Sequence, residues 1–409
     1  MTGHRLTTAH LQAAYPFVAE GGLGGRGPYI GRDLFGSAFT YDAFELYERG
    51  IITSPNMVIA GQLGRGKSAL VKSFCARQLV FGRRIVVMDP KGEYGTLARF
   101  CGTEPILLRP GGAMRLNPLD ERIARHEQLR LLHAIGAAVL ERTLRPQERV
   151  ALERALEQAI ARGHGEATLP LVVESLLHPV DDAGLSLATD APSLVEWGRE
   201  VAFELRRLVT GDLKGMLDDK TSASIDLDGD IVVLDLSAVY DSDALGIVMT
   251  CAAAWLQGML DHDTNRKTIF VLDEAWAILS HLGIAKWLQA SFKLSRARGL
   301  QNIAVMHRFS DLAATGPQGS QQERVARGLL SDTETKVMYA QPHGEIEATR
   351  ALLGLTATEA ALLPQLERGV ALWKVAERSF LVWHWLGASE AKLVDTDARM
   401  IGAISAVPQ

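Results

Sequence analysis

The run Met57-Val58-Ile59-Ala60-Gly61-Gln62-Leu63-Gly64-Arg65-Gly66-Lys67-Ser68-Ala69 decides how this chain folds. Its first four residues are a short apolar strand and its centre is a glycine-rich turn. From Ser68 onward, Leu70, Val71, Phe74 and Leu79 recur with helical spacing. Gly61 to Ser68 fits the pattern G-x-x-x-x-G-K-[ST] in the strand, turn and helix setting that a phosphate-binding loop needs. Glycines let consecutive N–H groups turn inward around phosphate oxygens, and the helix N-terminus adds positive potential. Gly61, Gln62, Leu63, Gly64, Arg65, Gly66, Lys67, Ser68 and Ala69 are the expected nucleotide contacts, with Lys67 on the β and γ phosphates and Ser68 on Mg²⁺.

The pattern continues downstream. Ile85-Val86-Val87-Met88 is a second strand that ends on Asp89-Pro90-Lys91-Gly92-Glu93, so strand, helix and strand make a βαβ unit with a parallel sheet. Asp89 and Glu93 leave this strand beside the loop, where they either orient water or metal or close a turn. Thr268-Ile269-Phe270-Val271-Leu272-Asp273-Glu274 is a near-continuous apolar run, as in a strand buried on both faces, with two carboxylates at its C-terminal end. Asp273 is expected to hold Mg²⁺ through its water shell and Glu274 to polarise the attacking water. Two adjacent acids favour hydrolysis of ATP over transfer to an acceptor.

Between Ala275 and Ser310 there is no Asp or Glu, whereas Lys286, Lys293, Arg296, Arg298 and Arg308 are present. A run of one sign suits a phosphate, and a basic surface helix is the alternative. Arg296 or Arg298 is a candidate arginine finger for a neighbouring subunit's nucleotide. The strand Ile303–Met306 ends on His307, the place of a γ-phosphate sensor, with a core or capping histidine as the rival reading. Asp226, Asp228 and Asp230 superficially resemble a calcium loop, but Gly229 falls at the wrong position and a turn is expected.

Composition is that of a soluble globular protein. The 409 residues are 47% hydrophobic and 22% charged, enough to bury a sizeable core. A net charge of −5 excludes a basic field over the whole surface, so any DNA contact is local. Three widely spaced cysteines without a CxxC pair suggest neither a disulfide framework nor a zinc site, and a cytoplasmic setting is expected. The apolar run Ala244 to Leu260 is 17 residues long, flanked by aspartates, and reads as a buried helix rather than a membrane span. Residues 117–222 show helical patterns at 121–141, 147–162 and 193–210 and read as an inserted helical subdomain, after which the α/β rhythm returns. Weaker strands at 336–340, 371–375 and 380–385 follow, the last two joined as a hairpin.

The loop Gly61–Ser68, Asp89-Pro90-Lys91-Gly92-Glu93-Tyr94, Leu116-Asn117-Pro118-Leu119-Asp120, the helical insertion and Asp273-Glu274-Ala275-Trp276 together resemble the HerA–FtsK superfamily of motor ATPases. The VirB-type traffic ATPases of conjugation and type IV secretion are most similar. The resemblance runs from about Gly31 to Thr396. It implies an α/β fold, a RecA-like P-loop NTPase with a mainly parallel sheet flanked by helices plus an inserted all-α subdomain. The chain then divides into an irregular lead-in (1–50), a first core part (51–116), the insertion (117–222), a second core part (223–396) and a tail (397–409). The resemblance further implies a working hexamer, ATP and Mg²⁺ at subunit interfaces, and peripheral attachment to the inner face of the membrane through channel proteins. DNA or protein is the cargo. Relatives usually carry glutamine where this chain has His307, and a long N-terminal docking domain where 60 residues precede the loop here. A HerA- or FtsK-like DNA translocase is the near alternative, and an ATP-binding structural channel component with negligible turnover is the distant one.

Overall fold

The computed structural model describes residues 21–180, 190–260 apart from 212, 224, 226–228 and 243, residues 266–275, 285, 289, 292, 293 and 295–307, and residues 321–394. Among these described residues eleven strands form one sheet: β1 (Tyr29–Asp33), β2 (Ala38–Thr40), β3 (Met57–Ala60), β4 (Arg84–Asp89), β5 (Ile106–Leu107), β6 (Ile231–Asp235), β7 (Thr268–Leu272), β8 (Leu300–Met306), β9 (Thr335–Met338), β10 (Val370–Val375) and β11 (Arg378–His384). Their order is β2-β1-β11-β10-β9-β3-β8-β7-β4-β6-β5. From β9 to β5 the neighbours run parallel, and from β9 to β2 they are antiparallel. The central strands are buried on both faces, which is why their sequences are apolar runs without alternation.

Side chains of alternate parity feed two cores. Met57, Ile59, Ile85 and Val87 pack with Leu70, Val71 and Phe74 of the helix Lys67–Val80 on one face. Val58, Ala60, Val86 and Met88 pack on the other face with the helix Leu245–Leu260 and with a group of helices that lie between β5 and β6. The described side chains of that helix, from Leu245 to Leu256, are thus core packing, with Trp255 fully buried. Among the described residues no helix is long and apolar enough to cross a membrane.

The helices between β5 and β6 are Arg125–Val139, Pro146–Arg162, Leu169–Leu177 and Ala191–Thr210. The third had no counterpart in the periodicity, because Leu169-Pro170-Leu171-Val172-Val173 is too apolar to show an exposed face; Pro170 sits in its first turn, where a missing N–H costs nothing. Asn117 makes the entry into this group. Its Nδ2 donates to Glu166 Oε1 (3.0 Å) and to the Ala167 carbonyl (2.8 Å), and its Oδ1 accepts from Leu119 N (3.0 Å).

Residues 21–50 correct one expectation. In place of an irregular lead-in they contain β1, β2 and the helix Ala43–Glu48, capped by Asp42. Locally the glycines read as turns, but the pairing partner of β1 is β11, far along the chain, and the glycine serves that contact. A Cβ on Gly31 would stand 1.9 Å from the Trp383 carbonyl oxygen. The β10–β11 hairpin turns on two residues, with Ala376 at φ 50°, so β11 begins at Arg378.

His384 at the end of β11 lies 2.9 Å from Ser73 Oγ, and burial together with the Arg77 charge pushes it down from its ordinary 6.5 to about 4. The unfolded chain therefore binds a proton that the folded chain refuses between these values, and stability is lost as pH falls from about 6.5 to about 4. We expect His384→Gln, which keeps a hydrogen bond to Ser73, to flatten the decline of Tm across that window, as read by thermal unfolding at several pH values.

Candidate functional site

The loop after β3 is shaped by three glycines in left-handed or extended positive-φ geometry, Gly61 (156°), Gly64 (73°) and Gly66 (115°). Gly61 also permits close packing, since a Cβ there would meet Tyr339 Cβ at 2.4 Å, whereas one on Gly66 would make only ordinary contact with Gly369 Cα at 3.5 Å. The loop is bolted to its neighbours by Gln62 N donating to the Ala340 carbonyl and Gly369 N donating to the Arg65 carbonyl, both at 3.0 Å. Gly66 is the N-cap of Lys67–Val80, and no side chain caps that helix, so its first N–H groups are available to an anion. Lys67 Nζ donates to the Gly61 (2.5 Å) and Gln62 (3.0 Å) carbonyls. Burial pulls Lys67 down to about 8, and the charges of Asp273, Lys91, Glu274 and Glu93 all act on it.

The parallel ladder brings the acids to the same edge of the sheet. Asp273 extends β7 by one bond, its N donating to the Met88 carbonyl (3.3 Å). Its carboxyl is buried, and burial, reinforced by Glu274, Glu93 and Asp89, raises it to about 7. A buried carboxyl among three further acids is a site short of positive charge, and this suits it to a divalent cation shared with the Ser68 hydroxyl. Asp89 takes the turn role: Oδ1 accepts from Glu93 N (3.1 Å) and Oδ2 from Tyr94 N (2.7 Å).

Glu274 follows at φ 52°, an unusual conformation for a glutamate. The turn it makes carries the side chain to His307 at the end of β8 and to Lys91 in the turn after β4. His307 Nε2 lies 2.6 Å from Glu274 Oε1, the Lys91 ammonium is ion-paired with the same oxygen, and Lys91 Nζ is 2.8 Å from His307 Nε2. Burial would lift Glu274, but the hydrogen bonds from His307 and Lys91 outweigh it and hold the carboxyl at about 2.

Lys67, Asp273, Glu274 and His307 therefore stand at one edge, and Lys91 joins them. No role was read for Lys91 from the sequence; its place in the Asp-Pro-Lys-Gly-Glu turn directly after a central strand was the available signal. Lys72, one turn into the helix, is a second such group: it is buried, its ammonium is 5.5 Å from the Tyr94 ring centroid, and Glu93, Asp89 and Asp273 act on it. Arg296 and Arg298 are not brought here. They precede β8 and so lie at the opposite edge of the parallel strands, with Arg296 Nη1 3.5 Å from the Thr53 carbonyl and Arg298 Nη2 3.8 Å from Glu127 Oε1. Asp226, Asp228, Trp276, Lys286 and Arg308 lie outside the described residues.

A phosphate loop on β3 and acids on β7, with β8 between them in a parallel sheet, define a RecA-like P-loop fold. Residues 52–251 match the family described as the helicase HerA central domain. Among solved structures, the chain is similar to VirB4 of Thermoanaerobacter pseudethanolicus, with 21% identity over 90% of this chain and 99% of that one and a TM-score of 0.76. It is also similar to the plasmid coupling protein TrwB in complex with ADP and Mg²⁺, with 16% identity, 88% and 91% coverage and a TM-score of 0.59. TrwB bound to the ATP analogue ADPNP gives 14% identity, 81% and 85% coverage and 0.53. At these identities the likeness is one of fold. No curated protein matches the sequence significantly.

Asp273 gives a direct test of the charge argument. Because its folded-state value is raised from 3.8 to about 7, the folded chain keeps a proton that the unfolded chain releases, and stability falls as pH rises from about 4 to about 7. Asp273→Asn should raise the stability of the nucleotide-free protein at pH 8 by on the order of 1–3 kcal/mol while weakening Mg²⁺-dependent nucleotide binding. Denaturant unfolding and equilibrium binding measure the two halves.

Proposed function

We propose that this protein is a Mg²⁺-dependent ATPase motor serving conjugation or type IV-like secretion. The observation that carries the proposal is the meeting of Lys67, Asp273 and Glu274 at one edge of the sheet, in a fold shared with VirB4 and with TrwB, a coupling protein whose solved complexes include ADP with Mg²⁺. When bound, Mg²⁺ supplies charge neutralisation on the phosphates. Lys67 and the loop N–H groups hold the β and γ phosphates, Ser68 and Asp273 hold the ion, and Glu274 orients and polarises the attacking water. Lys91 and His307 restrain Glu274 until the terminal phosphate draws them away, since a carboxylate held at about 2 is a poor base. His307 thereby fills the sensor role. Arg296 and Arg298, remote from their own loop, serve only a neighbouring copy's site, which fits a ring, hexameric when active, docked on channel proteins at the inner face of the membrane. Residues 117–222 act as an inserted unit between the two core parts.

The match to the HerA helicase domain supports a second reading, a DNA translocase. ATPase rate against protein concentration, with and without duplex DNA, separates the two: stimulation by DNA that falls steeply with salt favours translocation. Lys67→Ala should abolish turnover. Glu274→Gln should still bind ATP while lowering single-turnover hydrolysis on the order of 10²–10⁴-fold, and Arg298→Ala should lower the rate only where subunits assemble. Wild-type single-turnover hydrolysis equal to that of Glu274→Gln would sink the motor reading in favour of a structural ATP-binding component.

A further inference from the structure

The sheet order gives the nucleotide site a direction. Asp273 and Glu274 leave β7, two strands from β3 on one side, so the terminal phosphate points that way. On the other side of β3 stand β9, β10 and β11, and the ends of β9 and β10 touch the loop through Tyr339, Ala340 and Gly369. The base end of a bound nucleotide has to leave the loop over these strand ends.

Trp383 stands there. Gly369, at φ 84°, lies between its indole and the loop: a Cβ on Gly66 would stand 3.5 Å from Gly369 Cα, and Trp383 Cδ1 and Nε1 each lie 3.9 Å from where a Gly369 Cβ would be. The Trp383 side chain is 66% exposed, although its strand neighbour Val382 is fully buried. Its backbone, by contrast, is fixed in the sheet, paired with Val370 on one side and Arg32 on the other. A large rigid ring, held by its main chain and left in water beside a phosphate loop, is built to receive a flat partner.

We propose that Trp383 is the platform on which the purine base of the nucleotide stacks, with Gly369 keeping the passage from loop to indole open. This rests on the nucleotide-binding reading of the loop. Stacking reads the face of a base and not its edge, so ATP and GTP are both accommodated and pyrimidine nucleotides, with less surface, bind more weakly.

The test is equilibrium dialysis of ATP and of inorganic tripolyphosphate, each with Mg²⁺, against wild type, Trp383→Ala and Trp383→Phe. Trp383→Ala should weaken ATP on the order of tenfold, leave tripolyphosphate unchanged, and be largely rescued in Trp383→Phe. Unchanged ATP affinity in Trp383→Ala overturns the platform, as does an equal loss for ATP and tripolyphosphate, which would mean a distorted loop. A change in sedimentation alone would assign the indole to contact with a second copy instead. Wild-type protein that binds tripolyphosphate and ATP equally well refutes the platform but spares the loop, and wild-type protein that binds neither overturns the loop reading together with it.

Discussion

The candidate site is placed by the parallel ladder that seats β3 between β9 and β8. Pairing in one direction puts the C-terminal ends of β3, β4, β7, β8 and β9 at a single edge, so residues far apart in the chain emerge together without any loop having to reach for them. Register does the rest. Ala60 is opposite Met306 on one side and Met338 on the other, so the glycine loop, His307 and Tyr339 begin at the same height. One residue of slip would exchange the two cores and misplace all three.

The edge so built is electrostatically unsettled. Asp89, Glu93, Asp273 and Glu274 crowd it, and Lys67, Lys72 and Lys91 answer them from two elements. Such an arrangement opposes the stability of the empty protein, as the raised Asp273 shows, and it is tolerated where a ligand brings the missing charge. Glu274 concentrates this tension: an unfavourable backbone angle and two cationic or donor partners hold one buried carboxylate.

The helices between β5 and β6 share one continuous core with the sheet face they cover. Leu131, Leu132 and Ile135 of the first helix belong to the same buried cluster as Val86 and Leu272, and Trp255 Nε1 reaches Asp120 Oδ2 at 3.4 Å. Movement of this group relative to the sheet would have to break that packing.

The sequence by itself determined the glycine loop, the parallel βαβ core and the acid pair, because each is a local pattern: apolar runs, a glycine spacing, carboxylates ending a strand. It determined too that the helix beginning at Leu245 is core, as its described side chains up to Leu256 show. Only the tertiary structure decided what depends on non-local pairing. The glycine-rich start became strands because β11 needed a residue without a side chain at Gly31, and Lys91 and His307 became partners of Glu274 because β4, β7 and β8 are neighbours. Arg296 and Arg298 went to the far edge for the same reason. Strand order is a property of the whole sheet, and no stretch of sequence contains it.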